Sequence, residues 1–316
     1  MYTKASLMFL YTETSLHIGS GTSLSAVDLP IQREKYTNFP NGAGSGVKGA
    51  VREWFEHFEQ DENGNWKDGG EMKIDAIFGP EKEGSDHAGS VSFTDLRLLL
   101  FPVRSMKGVF AYVTCPFVLS RLKRELNQIV KSVDWQIDLP NEDQAMGTSA
   151  NAESETENCD LVISNKKVVL EEFSFTCTEN ENLNKISKWI SDNAIPNSPD
   201  YDFWKKKIKR SLLLISDDNF KDFVEHSTEI QARIKLGKNK TTSGEDGNLF
   251  YEENVPCDTL FYSLVLASKP HLTDPPAEVN TDENVIQYIK KLNTKRLQIG
   301  GDETIGKGIV NVKFLG

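Results

Sequence analysis

Three glycine-rich stretches in this chain stand beside residues able to hold an anion: HIGSGTS from His17, NGAGSGVKG from Asn41, and IGGDETIGKG from Ile299 to Gly308. From Gly301, the last of them fits the phosphate-cradling P-loop G-x-x-x-x-G-K-[ST] except at its end, where Gly308 replaces the hydroxyl residue. A working P-loop needs a helix directly after its lysine, whose amides hold the phosphate, and a hydroxyl to place Mg²⁺. Here Ile309, Val310, Val312 and Phe314 follow Lys307 in a strand-like pattern, which argues against a nucleotidase. What remains is a glycine turn with a cation beside it, which suits close backbone approach to a phosphodiester. One such loop reads as an ordinary hairpin; three suggest a track for a sugar-phosphate strand.

The second stretch opens the clearest helix of the chain. Val47, Ala50, Val51, Trp54, Phe55 and Phe58 recur at helical spacing, and Ser45 stands where an N-cap is expected. Lys48 and Arg52 then lie on one face near the helix start, where the dipole disfavours cations by a few tenths to about 1 kcal/mol. A bound anion would remove that conflict. The expected track therefore comprises Gly19, Ser20 and Gly21, then Ser45, Lys48, Gly49 and Arg52, and finally Gly301 and Lys307.

These loops need a scaffold, and 316 residues with 38% apolar content can build one. The chain carries 36 Lys plus Arg against 47 Asp plus Glu, a net charge of −11, so any polyanion must be held locally. Pro140 to Asp160 contains six acids and no Lys or Arg, and reads as a solvated, mobile insertion. Cys115, Cys159, Cys177 and Cys257 show no C-x-x-C spacing, which signals neither zinc nor a disulfide framework and suits the cytoplasm. No apolar run approaches the roughly 18 residues that span a bilayer.

Along the chain, Ala5 to Leu16 reads as a strand entering the first glycine turn. SVSFTDLRLLLFPV and GVFAYVTC read as consecutive strands, and Pro116 opens a helix. DLVISNKKVVLEEFSF suggests a hairpin turning at Ser164 and Asn165, followed by helices near Ile186 to Ile190, Phe203 to Ile215 and Phe220 to His226. TEIQARIKL alternates, with TLFYSLVLAS as its expected partner and a polar arm between them carrying Lys238 and Lys240. A helix from about Glu283 to Leu292 leads to the last strand, GIVNVKF. Strands and helices are thus interleaved, an α+β pattern.

The segment HIGSGTSLSAVDLPIQREKYTNFPNGAGSGVKGAVREW closely resembles the signature of the RAMP superfamily, in particular the repeating backbone subunits of type III-B CRISPR effectors, the Cmr complexes. FTDLRLLLFPVRSMKGVFAYVTCPFVL, DTLFYSLV and GGDETIGKG continue the resemblance in order over most of the chain. It implies a ferredoxin-like (RRM-like) palm with insertions and a protruding β-rich thumb, all one domain over residues 1–316. The palm would come from about 1–130 and 225–316, with a helical insertion near 180–226, the acidic insertion at 140–160 and the thumb within 237–256.

The resemblance also implies the partners: guide crRNA, target single-stranded RNA, further copies of the chain in a filament, and other Cmr subunits. It implies target cleavage by attack of a ribose 2′-hydroxyl on the adjacent phosphate, with a divalent cation, Mg²⁺ or Mn²⁺, as cofactor. Asp28 in VDLPIQRE matches the family's key acid, as cation ligand or proton acceptor; on residues alone, an Asp before Leu-Pro is a turn or cap residue. His17 aligns with a family histidine and would bind or position RNA. Glu252 corresponds to an acid near the cleavage point and Tyr251 to a base-stacking partner, whereas composition alone makes them an exposed loop pair. Arg33 either joins the track or pairs with Glu34. An RNA-guided endoribonuclease, a non-catalytic RNA-binding backbone and a nucleotide-binding enzyme are the readings to separate.

Overall fold

The structure is a computed structural model and describes residues 2–81, 87–129, 133–148, 159–235 and 248–315. Strand β1 (Lys4–Thr12) is buried on both faces from Leu7 to Thr12. A strand in the middle of a doubly covered sheet reads as a continuous apolar run instead of an alternation. After it come β2 (Asn41–Gly42), α1 (Gly44–Phe58), α2 (Gly70–Phe78), β3 (Val91–Phe93), β4 (Leu96–Arg104) and β5 (Phe110–Thr114). The middle of the chain holds α3 (Pro116–Ile129), β6 (Gln144–Gly147), β7 (Lys167–Leu170), β8 (Phe173–Glu179), α4 (Glu181–Asn193), α5 (Asp202–Ser211), β9 (Leu212–Leu214) and α6 (Asp217–His226). The last part comprises β10 (Glu229–Lys235), β11 (Asn248–Asn254), β12 (Leu260–Ala267), α7 (Asp282–Ile289), β13 (Arg296–Gln298) and β14 (Ile309–Phe314).

One large sheet runs in the order β13-β14-β1-β12-β4-β5-β9-β6-β8-β7, with β2 added to β4 and β3 to β12. Its pairings are antiparallel except β5 with β9 and β6 with β8. The result is a mixed α+β architecture built on a mostly antiparallel sheet. Val47, Val51 and Phe55 form the buried stripe of α1, and Phe55 stacks on Tyr288 of α7 with centroids 5.1 Å apart. Burying such a ring is worth roughly 1.5–3 kcal/mol, and here it joins the two helices that follow β1 and β12.

Four expectations change. TEIQARIKL, as β10, pairs with β11 in a separate two-stranded ribbon, while TLFYSLVLAS, as β12, lies between β1 and β4. The alternation of β10 reflects a ribbon with one face in solvent, where Ile230 and Ile234 are about half exposed, and alternation cannot name a partner strand. The hairpin of β7 and β8 turns at Glu171 and Glu172, with Glu171 at φ +47°, not at Ser164 and Asn165. The helix expected to reach Ile215 ends at Ser211, because Leu212 to Leu214 are buried between β5 and β6 as β9. Within the supposedly mobile acidic insertion, Gln144–Gly147 is an ordered strand with Ala145 fully buried. Residues 149–158 of that insertion, and 237–247 of the arm with Lys238 and Lys240, lie outside the described residues.

Candidate nucleic-acid interface

The imidazole of His17 lies between two of the three glycine turns. Its Nδ1 is 2.7 Å from the carbonyl oxygen of Glu253, which can only accept, so Nδ1 donates and Nε2 is turned toward the Gly19 turn. A Cβ at Gly19 would stand 2.8 Å from that Nε2. The N–H of Gly301 donates to the carbonyl of His17 at 2.8 Å, and a Cβ at Gly300, where φ is +84°, would come within 2.4 Å of the same oxygen. Only glycine fits at Gly300, and a side chain at Gly19 would displace the imidazole. Gln32 joins the remaining turn: its Nε2 donates to Gly19 O at 2.9 Å and its Oε1 accepts from Ala43 N–H at 3.0 Å, at the start of α1. The three turns thus meet in one surface.

At α1 the N-cap is Ala43, not Ser45, and Asp95 supplies the missing acceptor by taking the Gly44 N–H at 2.7 Å. Ser45 and Gly49 are exposed inside the helix, with Lys48 half-buried between them. Among the described residues Lys48 has no acidic partner; burial, with the Arg52 charge adding, pushes its ammonium below the usual lysine range. Arg52 turns inward, to Glu56 at 2.6 Å and the Gly79 carbonyl at 2.7 Å. Its charge is largely neutralised there, and Lys48 is the cation that α1 offers to an anion.

Asp28 is half-buried beside the ribbon. Its Oδ2 accepts the Tyr251 N–H at 2.8 Å, and Leu29 exchanges backbone hydrogen bonds with Tyr251 and Glu253 on β11. Oδ1 of Asp28 makes no hydrogen bond among the described residues. Beyond Asp28, Ser20 and Gly21 are exposed, although the Ser20 hydroxyl donates to Pro30 O at 3.0 Å. Arg33 pairs with Glu253 at 2.5 Å and with the Asn38 and Val224 carbonyls, while Glu34 pairs with Arg121 at 2.7 Å. Arg33 therefore braces the signature segment against β11.

Alternation on β11 sends Tyr251 and Glu252 to opposite faces. Tyr251 is 42% exposed and opposite Ala232, on an apolar face shared with Ile230, Ile234 and Leu249. Glu252 is fully buried, contrary to an exposed loop pair, and is bound to Arg233, which also reaches Asp302 Oδ2 at 2.8 Å. Burial opposes ionisation of Asp302, but Arg233 overcomes it and holds that carboxyl below the usual range. Lys307, expected to face phosphate, is 7% exposed, with its ammonium on Gln231 Oε1 at 2.7 Å and Ser15 Oγ at 3.3 Å. Both groups hold the C-terminal glycine loop against the ribbon.

Gln32, Arg233 and Glu253 were not anticipated. Glu253 receives the Ile31 N–H at 3.1 Å and the Thr228 hydroxyl at 2.9 Å besides Arg33. The one available signal was the pair Glu252–Glu253, since adjacent acids on a strand must address both faces. Among the described residues no group of three or more His, Cys, Asp or Glu could hold a metal ion. Asp28 Oδ1 is a single hard oxygen donor, which fits a cation held otherwise by water and phosphate oxygens.

The family model of the RAMP superfamily matches residues 9–311. A relative from Pyrococcus furiosus, the CRISPR system Cmr endoribonuclease Cmr4, is 41% identical over 312 residues, covering 98% of this chain and 95% of its own. The crystal structure of oligomeric Cmr4 from Pyrococcus furiosus has a TM-score of 0.71 at 36% identity, with 98% of each chain covered. A chain of a type III-B Cmr-beta complex bound to cognate target RNA shares the fold, with a TM-score of 0.70 at 22% identity, 99% of this chain and 98% of that one being covered. The matched residues include all three glycine turns, Asp28 and the ribbon, and the chain belongs to the RAMP superfamily, grouping with its Cmr4 members.

Proposed function

We propose that this chain is an RNA-guided endoribonuclease subunit of a type III-B effector, holding guide crRNA on the glycine-lined surface and cutting a complementary RNA beside Asp28. The observation that carries the reading is the meeting of three glycine turns at His17 and Gln32, next to a half-buried carboxylate with one oxygen unbonded among the described residues. Bare backbone at Gly19, Gly21, Gly49 and Gly301 admits a sugar-phosphate strand closely, and Lys48 supplies a charge unpaired among the described residues; such contacts carry no base preference. The relatives named as an endoribonuclease and as oligomeric support both the activity and stacking of copies along the guide, with other Cmr subunits as neighbours.

Four strands in the order β14-β1-β12-β4, all antiparallel, with α1 after β1 and α7 after β12, support a ferredoxin-like palm. The β10–β11 ribbon would be the base of its thumb, and Tyr251 on its apolar face would stack on a displaced base. In cleavage, Asp28 Oδ1 takes the proton of the attacking 2′-hydroxyl or orients that hydroxyl, and His17 Nε2 accepts a hydrogen bond from RNA at the Gly19 turn. A Mg²⁺ or Mn²⁺ ion on Asp28 would supply charge for the phosphate oxygens. Glu252 enters as a positioning residue, since it is buried against Arg233. The four cysteines are free thiols, which suits work in the cytoplasm.

A non-catalytic guide-binding backbone is the competing reading, and the burial of Glu252 favours it. Assembled complexes carrying the natural chain or Asp28→Ala, given a guide-complementary RNA and divalent ions, separate the two. Regular cuts that vanish in Asp28→Ala, with guide and target still bound, support the nuclease; unchanged cutting overturns it.

A further inference from the structure

Cys159 and Cys177 are brought together by the fold, although sequence spacing gives no sign of it. Cys177 lies on β8, beside Ala145 of β6 in a parallel register, and Cys159 begins the described segment that precedes β7. Both crowd the same glycine: a Cβ at Gly147 would stand 3.0 Å from Cys177 Sγ and 3.3 Å from Cys159 Sγ. A larger residue there would push the sulfurs apart. Both cysteines are at most 5% exposed, yet both line a cavity of about 390 Å³ together with Val162, Lys166, Thr178 and Glu179. Buried thiols are ordinarily inert, and the cavity gives this pair the access that reaction with a small molecule requires.

We infer that Cys159 and Cys177 form a reversible dithiol–disulfide site, oxidised by a low-molecular-weight disulfide through the cavity they line. The Cys159 thiolate attacks one sulfur of R–S–S–R and expels the first thiolate, leaving a mixed disulfide. Cys177 then attacks the Cys159 sulfur, forming the protein S–S bond and expelling the second thiolate. Two electrons pass from the protein thiols to R–S–S–R, and their two protons end on the two released thiols. Cys159 is the attacking group because the neighbouring Cys177 thiol holds its own below the ordinary range against the opposing effect of burial, with the Leu161 N–H and the Lys107 charge adding. The Cys159 neighbour, together with burial, pushes Cys177 up, so it waits protonated until Cys159 has reacted. The cross-link ties the segment before β7 to β8, at the end of the sheet far from β14 and the RNA surface.

The test uses the full chain carrying Cys257→Ser, which removes the exposed thiol. Folded protein is treated with oxidised glutathione, quenched in acid, alkylated and mapped by peptide mass. Cys159 and Cys177 peptides should appear joined, two hydrogens lighter and without glutathione, and should separate after dithiothreitol. Adding Cys177→Ser should trap one glutathione on Cys159, with circular dichroism confirming the fold. Two unreacted thiols, or a glutathione adduct that persists on Cys159 while Cys177 is present, would overturn the inference.

Discussion

The N–H of Tyr251 donates to Oδ2 of Asp28 at 2.8 Å, so the ribbon that presents Tyr251 also aims the remaining oxygen of the acid. Asp28→Asn can still accept that bond and should leave stability nearly unchanged. Asp28→Ala leaves the donor without its partner and should cost about 1 kcal/mol, or a few degrees in Tm. Both should abolish target cleavage in the assembled complex. Full-rate cutting by the Asn variant would show that the carboxylate charge is not needed.

Lys48 faces no acid among the described residues, and burial followed by the Arg52 charge lowers its pKa. A neighbouring phosphate pulls the other way. In the alkaline window between the lowered free value and the raised bound value, guide binding should therefore take up a proton, and affinity should fall as pH rises through that window. Lys48→Gln should remove this dependence and reduce the slope of log K against log salt by roughly 0.7–0.9. Calorimetry in buffers of different ionisation heat reads the proton uptake directly; none with the natural chain would remove Lys48 from the interface.

Gly308 occupies the position where a P-loop has its hydroxyl. Its φ is +74°, and a Cβ there would lie 2.0 Å from the Ile299 carbonyl. Gly308→Ser should thus destabilise the chain by more than about 2 kcal/mol and create no nucleotide site. Urea unfolding, with ATP binding as a second readout, checks both; a stable, ATP-binding variant would revive the nucleotidase.

Gly49 is the opposite case, a helix-interior glycine with nothing within 4 Å of its missing Cβ. Gly49→Ala should stabilise α1 by roughly 0.5–1 kcal/mol. Gly49→Leu should fold as well yet weaken guide binding about tenfold, a loss of about 1.4 kcal/mol, because its side chain fills the space left for the strand. Undiminished affinity would show that RNA does not approach there.

Arg233 holds the buried Glu252 and the partly exposed Asp302. Arg233→Gln should cost about 3 kcal/mol near neutral pH, mainly by leaving Glu252 buried without its counter-charge. The Asp302 share has a definite sign. Its folded pKa is depressed, so this stabilisation is present above the unfolded value near 3.9 and is lost as pH falls through the lower folded value. The gap between natural and variant stability should narrow in that acid range, as denaturant titrations at several pH values would show.

Much of the frame was legible in residue order. The buried stripe of α1, the Pro116 start of α3, the continuous apolar β1 and the final strand all follow from local periodicity and turn chemistry. So did the three glycine turns, since bare backbone announces itself locally. Partner choice did not follow: β10 could alternate equally well against β12 or β11, and Leu212 to Leu214 could be a helix end or a central strand, because period and apolarity are satisfied either way.

Residue order alone decided that this chain has close-approach loops, a cation at a helix start and an acid in a characteristic segment, since each is a property of a few neighbouring residues. Tertiary structure decided which of them face solvent. Lys307, Arg33, Arg52 and Glu252 turned inward to partners up to 292 positions away, whereas Lys48 and Asp28 kept a group with no partner among the described residues. The reason is physical: a charge buried by folding must find a counter-charge or hydrogen-bond acceptor wherever the chain happens to pass, and local sequence does not say where that is.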